Sequence, residues 1–254
     1  MRSPSRFEKL GMRQIVKRAW LDVALRGACE GLPEAEVRAR LTHELALDET
    51  AHGKRGAAQF SKNMALLASW FAPKDDLGTF VGQLVAQAKE VGESQWGPLH
   101  WAVLAGSYPF FLCVTTVVGR LLALQEVVSK AQVQRRVEEV YGTPGMLERN
   151  LRYALVNLIN LGLLATTERI GVYARAPLVV VEDDRTALLL WKAVLHGTKG
   201  GRASLAAIRN SPAFYAFSMP LVYPAQFREA FDDADTAQYA GVDEQLFLKE
   251  ETTK

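Results

Sequence analysis

One run of the chain, WAVLAGSYPFFLCVTTVVG from Trp101 to Gly119, contains no charged side chain and is almost long enough to cross a membrane. A transmembrane helix needs about 20 consecutive apolar residues. Pro109 interrupts this run, because proline lacks the N–H of a helical hydrogen bond and disfavours helical geometry at the residue before it. The sequence therefore predicts two buried helices rather than a membrane span, one over residues 98–106 and one over residues 109–125.

The composition is that of a chain that can bury a large core, since 49% of its 254 residues are hydrophobic. Its length favours two or three modules. The net charge is only +2 with neutral histidines, so any contact with nucleic acid has to come from local clusters of Lys and Arg. The two cysteines, Cys29 and Cys113, are isolated, and the first residues lack the apolar stretch of a secretory signal. We therefore expect a cytoplasmic location, no membrane association and no disulfide framework.

Helical patterns dominate residues 1–95, the first predicted domain. Apolar residues at helical spacing predict a helix over residues 12–28. Lys9, Arg13 and Lys17 recur every four residues, so they would form a charged stripe opposite the apolar face of this helix. A solvated helix face is the favoured interpretation of that stripe.

The most informative stretch covers residues 129–175. Ser129 is a typical helix N-cap, and the GTPG turn separates two helices, with Gly142 ending the first and Pro144 starting the next element. The second helix has an apolar side with a helical period, made of Leu147, Leu151, Ala154, Leu155, Leu158 and Ile159. Two short apolar runs follow, separated by ERIG, and they predict a β-hairpin in which Gly171 adopts a positive φ angle.

With the preceding helix from Pro109, this order of helix, turn, helix and hairpin resembles the winged helix-turn-helix superfamily of DNA-binding domains. The resemblance covers about residues 109–176 and rests on pattern rather than on an invariant motif. It implies that the second helix of the turn enters the major groove of double-stranded DNA, where its exposed side chains meet base edges. The candidates on the face opposite the apolar side are Arg149, Arg152, Tyr153 and Asn157.

The same resemblance places further contacts on the phosphate backbone. Arginine and asparagine can bond guanine and adenine respectively, and both can also hold phosphate. The phosphate candidates are Gln132, Arg135 and Arg136 on the preceding helix, with Arg169 at the hairpin tip. Lys54 and Arg55 precede another predicted helix, and their polar segment is either a second phosphate-binding patch or a mobile loop.

The remaining chain completes the predicted organisation, with a central domain over residues 96–178 and a C-terminal module over residues 179–254. In the latter, a helix near Thr186–His196 and a late strand near Gln245–Lys249 suggest a second unit that is winged-helix-like. The predicted fold class is therefore mainly α with small β-hairpins (α+β). It comprises a helical N-terminal domain, a central winged helix-turn-helix and a C-terminal α+β module.

No catalytic or metal-binding motif emerges from the sequence. His43 and Glu44 are not followed by the second histidine of a zinc protease, and GTKGG lacks the spacing of a phosphate-binding loop. Adjacent acidic pairs such as Asp183 and Asp184 face different directions and are more typical of helix caps than of an acid and a base. We expect no enzyme activity, no metal and no cofactor.

The favoured hypothesis is a non-catalytic protein that binds double-stranded DNA. It would be a regulator or the DNA-binding component of a larger bacterial assembly such as a phage-defence system. The alternative is an interaction or scaffold protein, in which the winged helix docks a protein partner or a second copy of the chain. The apolar surface for that docking would come from Phe214, Tyr215, Phe217 and Tyr223.

Overall fold

The protein is mainly helical with small β-sheets, as the sequence predicts. The computed structural model describes residues 5–47, 63–237 and 243–249. The helices are α1 (Arg18–Cys29), α2 (Glu34–Leu47), α3 (Gly78–Glu90), α4 (Trp96–Ser107), α5 (Pro109–Leu122), α6 (Lys130–Tyr141), α7 (Leu147–Asn160), α8 (Asp184–Gly197), α9 (Leu205–Arg209) and α10 (Pro224–Ala230). The strands are β1 (Val127–Ser129), β2 (Leu164–Thr166), β3 (Val172–Arg175), β4 (Val179–Val180), β5 (Arg202–Ser204), β6 (Phe217–Ser218), β7 (Ala234–Ala237) and β8 (Gln245–Leu248).

The first helix begins later than its apolar pattern predicts. Helix α1 starts at Arg18, and residues 12–17 lie outside any helix. The prediction of a helix from residue 12 is therefore wrong, and with it the idea that Arg13 and Lys17 belong to a helical stripe. Met12, Gln14 and Val16 form hydrogen bonds with side chains of α7 instead of belonging to a helical turn.

The uncharged run forms two buried helices, as predicted. Helices α4 and α5 are separated at Tyr108 by a bend of 118°, and the ring of Pro109 occupies the first position of α5. In the part of the chain that the structure describes, no single helix is long and apolar enough to cross a membrane. The bent pair meets the length and composition criteria only when its halves are taken together.

Residues 109–175 form a compact arrangement that we call the central unit. It follows the order α5, β1, α6, α7, β2, β3. The three strands make an antiparallel sheet with β3 in the middle, in which Val128 pairs with Tyr173 and Ala165 pairs with Ala174. The sheet ties the start of α6 to the hairpin that follows α7.

Residues 184–248, the C-terminal unit, repeat this order of elements. Helix α8 is followed by β5, the short helices α9 and α10, and then β7 and β8. Its antiparallel sheet has the order β5-β8-β7, so the last strand is again central. A two-stranded parallel pair, β4 with β6, lies outside both three-stranded sheets. The predicted division into three domains stays a prediction, but the buried apolar side chains of all parts form one continuous core.

The two units are closely packed against one another. A Cβ atom at Gly119 of α5 would lie 1.9 Å from the carbonyl oxygen of Pro212, so only glycine permits this approach. The Tyr215 hydroxyl donates a hydrogen bond of 2.9 Å to the carbonyl of Leu163. Of the apolar surface predicted for docking, Phe214, Tyr215 and Phe217 are buried, the two phenylalanine rings against Trp101 of α4, whereas Tyr223 is exposed. Their assignment to an interface is therefore wrong for all but Tyr223.

Candidate nucleic-acid interface

The turn between α6 and α7 is built by short-range interactions. Ser129 and Gln132 form a reciprocal capping box, in which each side chain accepts from the other residue's backbone N–H. Helix α6 ends at Tyr141, and the next residue, Gly142, has a φ of 68° in the left-handed region that favours glycine. The cap uses the acceptor Oε1 of Gln132, while its Nε2, the donor that a phosphate would need, lies 3.4 Å from the Gln125 Oε1.

Helix α7 has one face in the core and one in solvent. The predicted apolar face is confirmed by the burial of Leu147, Leu151, Ala154, Leu155 and Leu158. On the opposite face Arg149 and Arg152 are exposed, and neither forms an ion pair within the described residues. Tyr153 is half-buried, and the Arg152 guanidinium lies 5.4 Å from the centre of its ring. We call the outward row formed by Arg149, Arg152 and Tyr153 the arginine ridge.

A third face of α7 is covered by residues 10–17, a segment that we call the strap. The Asn157 side chain accepts from the Val16 N–H at 2.8 Å and donates to the Gln14 carbonyl at 3.1 Å. Asn157 is fully buried, so its predicted contact with a base is wrong. Its amide offers a donor and an acceptor to the strap backbone, which would otherwise lack partners in the interior.

Two more asparagines extend the same attachment. Asn150 donates to the Leu10 carbonyl at 2.9 Å, and Asn160 donates to the Val16 carbonyl at 2.8 Å. Met12 and Val16 of the strap are buried in the core cluster. The strap is therefore held by polar contacts to α7 and by apolar contacts beneath it.

Helix α6 supplies one unpaired arginine to the surface. Arg135 is exposed and has no ion pair among the residues that the structure describes. Arg136 is also exposed, but its guanidinium lies 2.8 Å from the Glu139 carboxylate. Since that carboxylate offsets its charge, Arg136 is the weaker of the two phosphate candidates.

An acidic residue beside the arginine ridge is neutralised by a lysine. Glu148 stands next to Arg149 in α7, and its carboxylate lies 2.5 Å from the Lys130 ammonium at the start of α6. The hydrogen bond from Lys130 lowers the pKa of the Glu148 carboxyl. The pair keeps this carboxylate engaged with a cation, which limits its repulsion of an approaching phosphate.

The hairpin after α7 ends in a tight, exposed tip. Gly171 has a φ of 75°, as predicted, and the Val172 N–H donates to the Arg169 carbonyl at 3.1 Å. Arg169 is exposed at this tip, where the sequence places it. The neighbouring Ile170 is 100% exposed, an unusual position for an apolar β-branched side chain. We call Arg169 and Ile170 the hairpin tip.

Asn150 and Asn160 were not predicted as contacts, because polar residues on a predicted helix are normally assigned to solvent. Lys54 and Arg55 lie outside the described residues. Among the residues that are described, no group of three or more His, Cys, Asp or Glu side chains is arranged to hold a metal ion.

No family model, no curated protein and no solved structure matches the chain.

Proposed function

We propose that the chain binds double-stranded DNA without catalysis, through a winged helix-turn-helix formed by the central unit. The order of its elements and the central position of β3 support the resemblance seen in the sequence. In this role it is a regulator or the DNA-binding component of a larger bacterial assembly. The arginine ridge is the observation that carries the proposal.

The arginine ridge has the chemistry needed at a DNA groove. Arg149 and Arg152 stand one helical turn apart on the exposed face of α7, so both guanidinium groups can enter the same groove. Arginine donates two hydrogen bonds to guanine or to a phosphate. Because Asn157 is buried, contact with base edges falls to these two arginines, and the guanidinium of Arg152 packs on the Tyr153 ring.

Phosphate contacts flank the arginine ridge on two sides in this proposal. Arg135 on α6 and Arg169 at the hairpin tip are exposed cations without ion pairs in the described part of the chain. Exposed cations bind phosphate by displacing condensed counterions, so the affinity has to fall as salt rises. Ile170 gives the hairpin tip an apolar end of the kind that contacts the floor of a minor groove.

The test is a fluorescence-anisotropy titration with a random-sequence duplex at low and moderate salt. We expect binding that weakens steeply with salt and is at least tenfold weaker, an order-of-magnitude expectation, in the Arg149→Ala/Arg152→Ala variant, whose folding is unchanged. The Lys74→Ala/Lys89→Ala variant is the matched control, because it removes the same charge from exposed positions outside the central unit. If the arginine variant and the lysine control bound the duplex with equal affinity, the arginine ridge would not be the contact surface.

A second candidate function, docking of a protein partner, is favoured by one cavity whose lining is mainly apolar but includes charged side chains such as Arg120 and Lys199. This cavity of about 900 Å³ lies between α5, α6 and the N-terminal segment, and its lining includes Leu124 and Val140. Leu124 is 86% exposed and Val140 is 66% exposed. Apolar docking would be nearly insensitive to salt, in contrast to phosphate binding. A titration with a protein partner at low and moderate salt would therefore separate the two functions.

A further inference from the structure

The strap runs beside α7 in the same direction as the helix. Leu10 is bonded to Asn150 near the start of α7, and Val16 is bonded to Asn157 and Asn160 near its end. At about 100° per residue, these three asparagines lie on one flank of the helix, and Arg149 is next to that flank on the exposed side. The strap and the arginine ridge are therefore neighbours on the same surface.

Side chains of the strap alternate between the core and solvent. Met12, Gln14 and Val16 are buried, whereas Arg13 between them is exposed. Such alternation is typical of an extended chain lying on a packed surface. Lys9, just before the strap, is exposed as well, and neither Lys9 nor Arg13 has an ion pair within residues 5–47, 63–237 and 243–249. The edge beside α7 thus carries two free cations.

We propose that the strap is part of the DNA-binding surface, where Lys9 and Arg13 contact the sugar–phosphate backbone at one wall of the groove that α7 enters. This inference rests on the proposed function of the central unit. It assigns a binding role to a segment that the helical pattern of the sequence places in a different domain.

The dimensions of helix and groove support this arrangement. A helix with its side chains is about 10–12 Å across, and the major groove is about 12 Å wide. Helix α7 alone fills that groove. The strap on its flank therefore contacts the sugar–phosphate backbone of the DNA before the helix is fully inserted. Lys9 and Arg13 are then placed at phosphates, and only the long side chains of Arg149 and Arg152 extend to base edges.

Shallow insertion has a consequence for specificity. With two arginines at base edges and the other cations at phosphates, most of the affinity is independent of sequence. The strap therefore makes the central unit a DNA-binding module of low sequence preference. Selection from a randomised duplex pool is expected to yield no strongly enriched site. Recovery of a single site bound a thousandfold more tightly than random DNA would overturn the shallow geometry.

The decisive experiment compares salt dependence in the full chain. Anisotropy with a random duplex is measured over a salt series for the wild type, for Lys9→Ala/Arg13→Ala, and for the Lys74→Ala/Lys89→Ala control. Loss of two phosphate contacts makes the negative slope of log affinity against log salt shallower by about 1.8. If the two affinities are equal at about 1 M salt, this corresponds to roughly 60-fold weaker binding at 0.1 M salt. The control is expected to keep the wild-type slope.

The outcomes separate this inference from the function on which it rests. A wild-type slope in the strap variant, with weaker binding in Arg149→Ala/Arg152→Ala, overturns the role of the strap and leaves the DNA function intact. Wild-type binding in both variants overturns both. Melting temperatures are compared first, and Lys9→Gln/Arg13→Gln replaces the alanine pair if the alanine pair lowers the melting temperature.

Discussion

Replacement of Asn157 by alanine distinguishes the buried role of this residue from the base contact that the sequence predicts. The change removes the acceptor of the Val16 N–H and the donor to the Gln14 carbonyl. Val16 is 1% exposed, so water cannot replace the lost acceptor. An unsatisfied buried group costs about 1–3 kcal/mol, and the second lost bond adds about 1 kcal/mol. We expect the free energy of unfolding to fall by about 3 kcal/mol.

The assay is thermal unfolding of the protein without DNA, followed by circular dichroism. For a chain of this length, about 3 kcal/mol corresponds to a melting temperature lower by roughly 6–12 °C. Asn160→Ala breaks one bond of a half-buried side chain and should cost about 1 kcal/mol. Arg149→Ala/Arg152→Ala should change stability by less than about 0.5 kcal/mol for each site. An Asn157→Ala variant with unchanged melting temperature and lost DNA binding would refute the attachment of the strap.

Three further changes test other parts of the structure. Gly119→Ala should destabilise the chain by at least about 3 kcal/mol, because its Cβ would collide with the Pro212 carbonyl, and Gly82→Ala, in open space on α3, should be neutral or stabilising; equal melting temperatures would contradict the close approach. Ile170→Glu should weaken DNA binding at least tenfold, an order-of-magnitude expectation for a charge that repels phosphate, while the melting temperature stays the same. Burial lowers the pKa of His196 to about 3, so the unfolded chain takes up its proton first and stability falls as the pH drops below about 6.5. His196→Leu should remove about 2 kcal/mol of the loss between pH 7 and pH 5, as measured by urea unfolding, and an unchanged pH profile would argue against the buried neutral imidazole.

The extended backbone of the strap was not predicted from the sequence. Residues 12–17 have apolar side chains at spacings that suit a helix, and Met12 and Val16 are four residues apart. The structure buries Met12 and Val16, but on an extended segment rather than on a helix. Helical periodicity therefore predicted the burial of Val16 but the wrong backbone conformation, and it did not predict the burial of Gln14.

The C-terminal unit shows the opposite case, in which a weak pattern led to the right elements. A long helix and a late strand were predicted there, and α8 and β8 lie at those places. The pairing of β5 and β7 with β8 could not be predicted from the sequence, since each of these strands has only three or four residues. Strands of that length carry little pattern, so their partners are chosen by packing.

Features that depend on local interactions could be predicted from the sequence by itself. The break at Pro109, the Ser129 cap and the positive φ at Gly171 each depend on the covalent properties of one residue or on partners a few positions away. The two faces of α7 follow from its helical period, which placed Arg149 and Arg152 in solvent. These features predict the helix-turn-helix and most of its exposed cations.

Only the tertiary structure decided what covers the third face of α7. The bond between Val16 and Asn157 joins residues 141 positions apart, and no periodicity in either segment encodes that contact. An asparagine on a helix has the same local pattern whether its amide meets a base or a buried backbone. The difference lies in the desolvation of that amide, which depends on the neighbour that the fold brings to it.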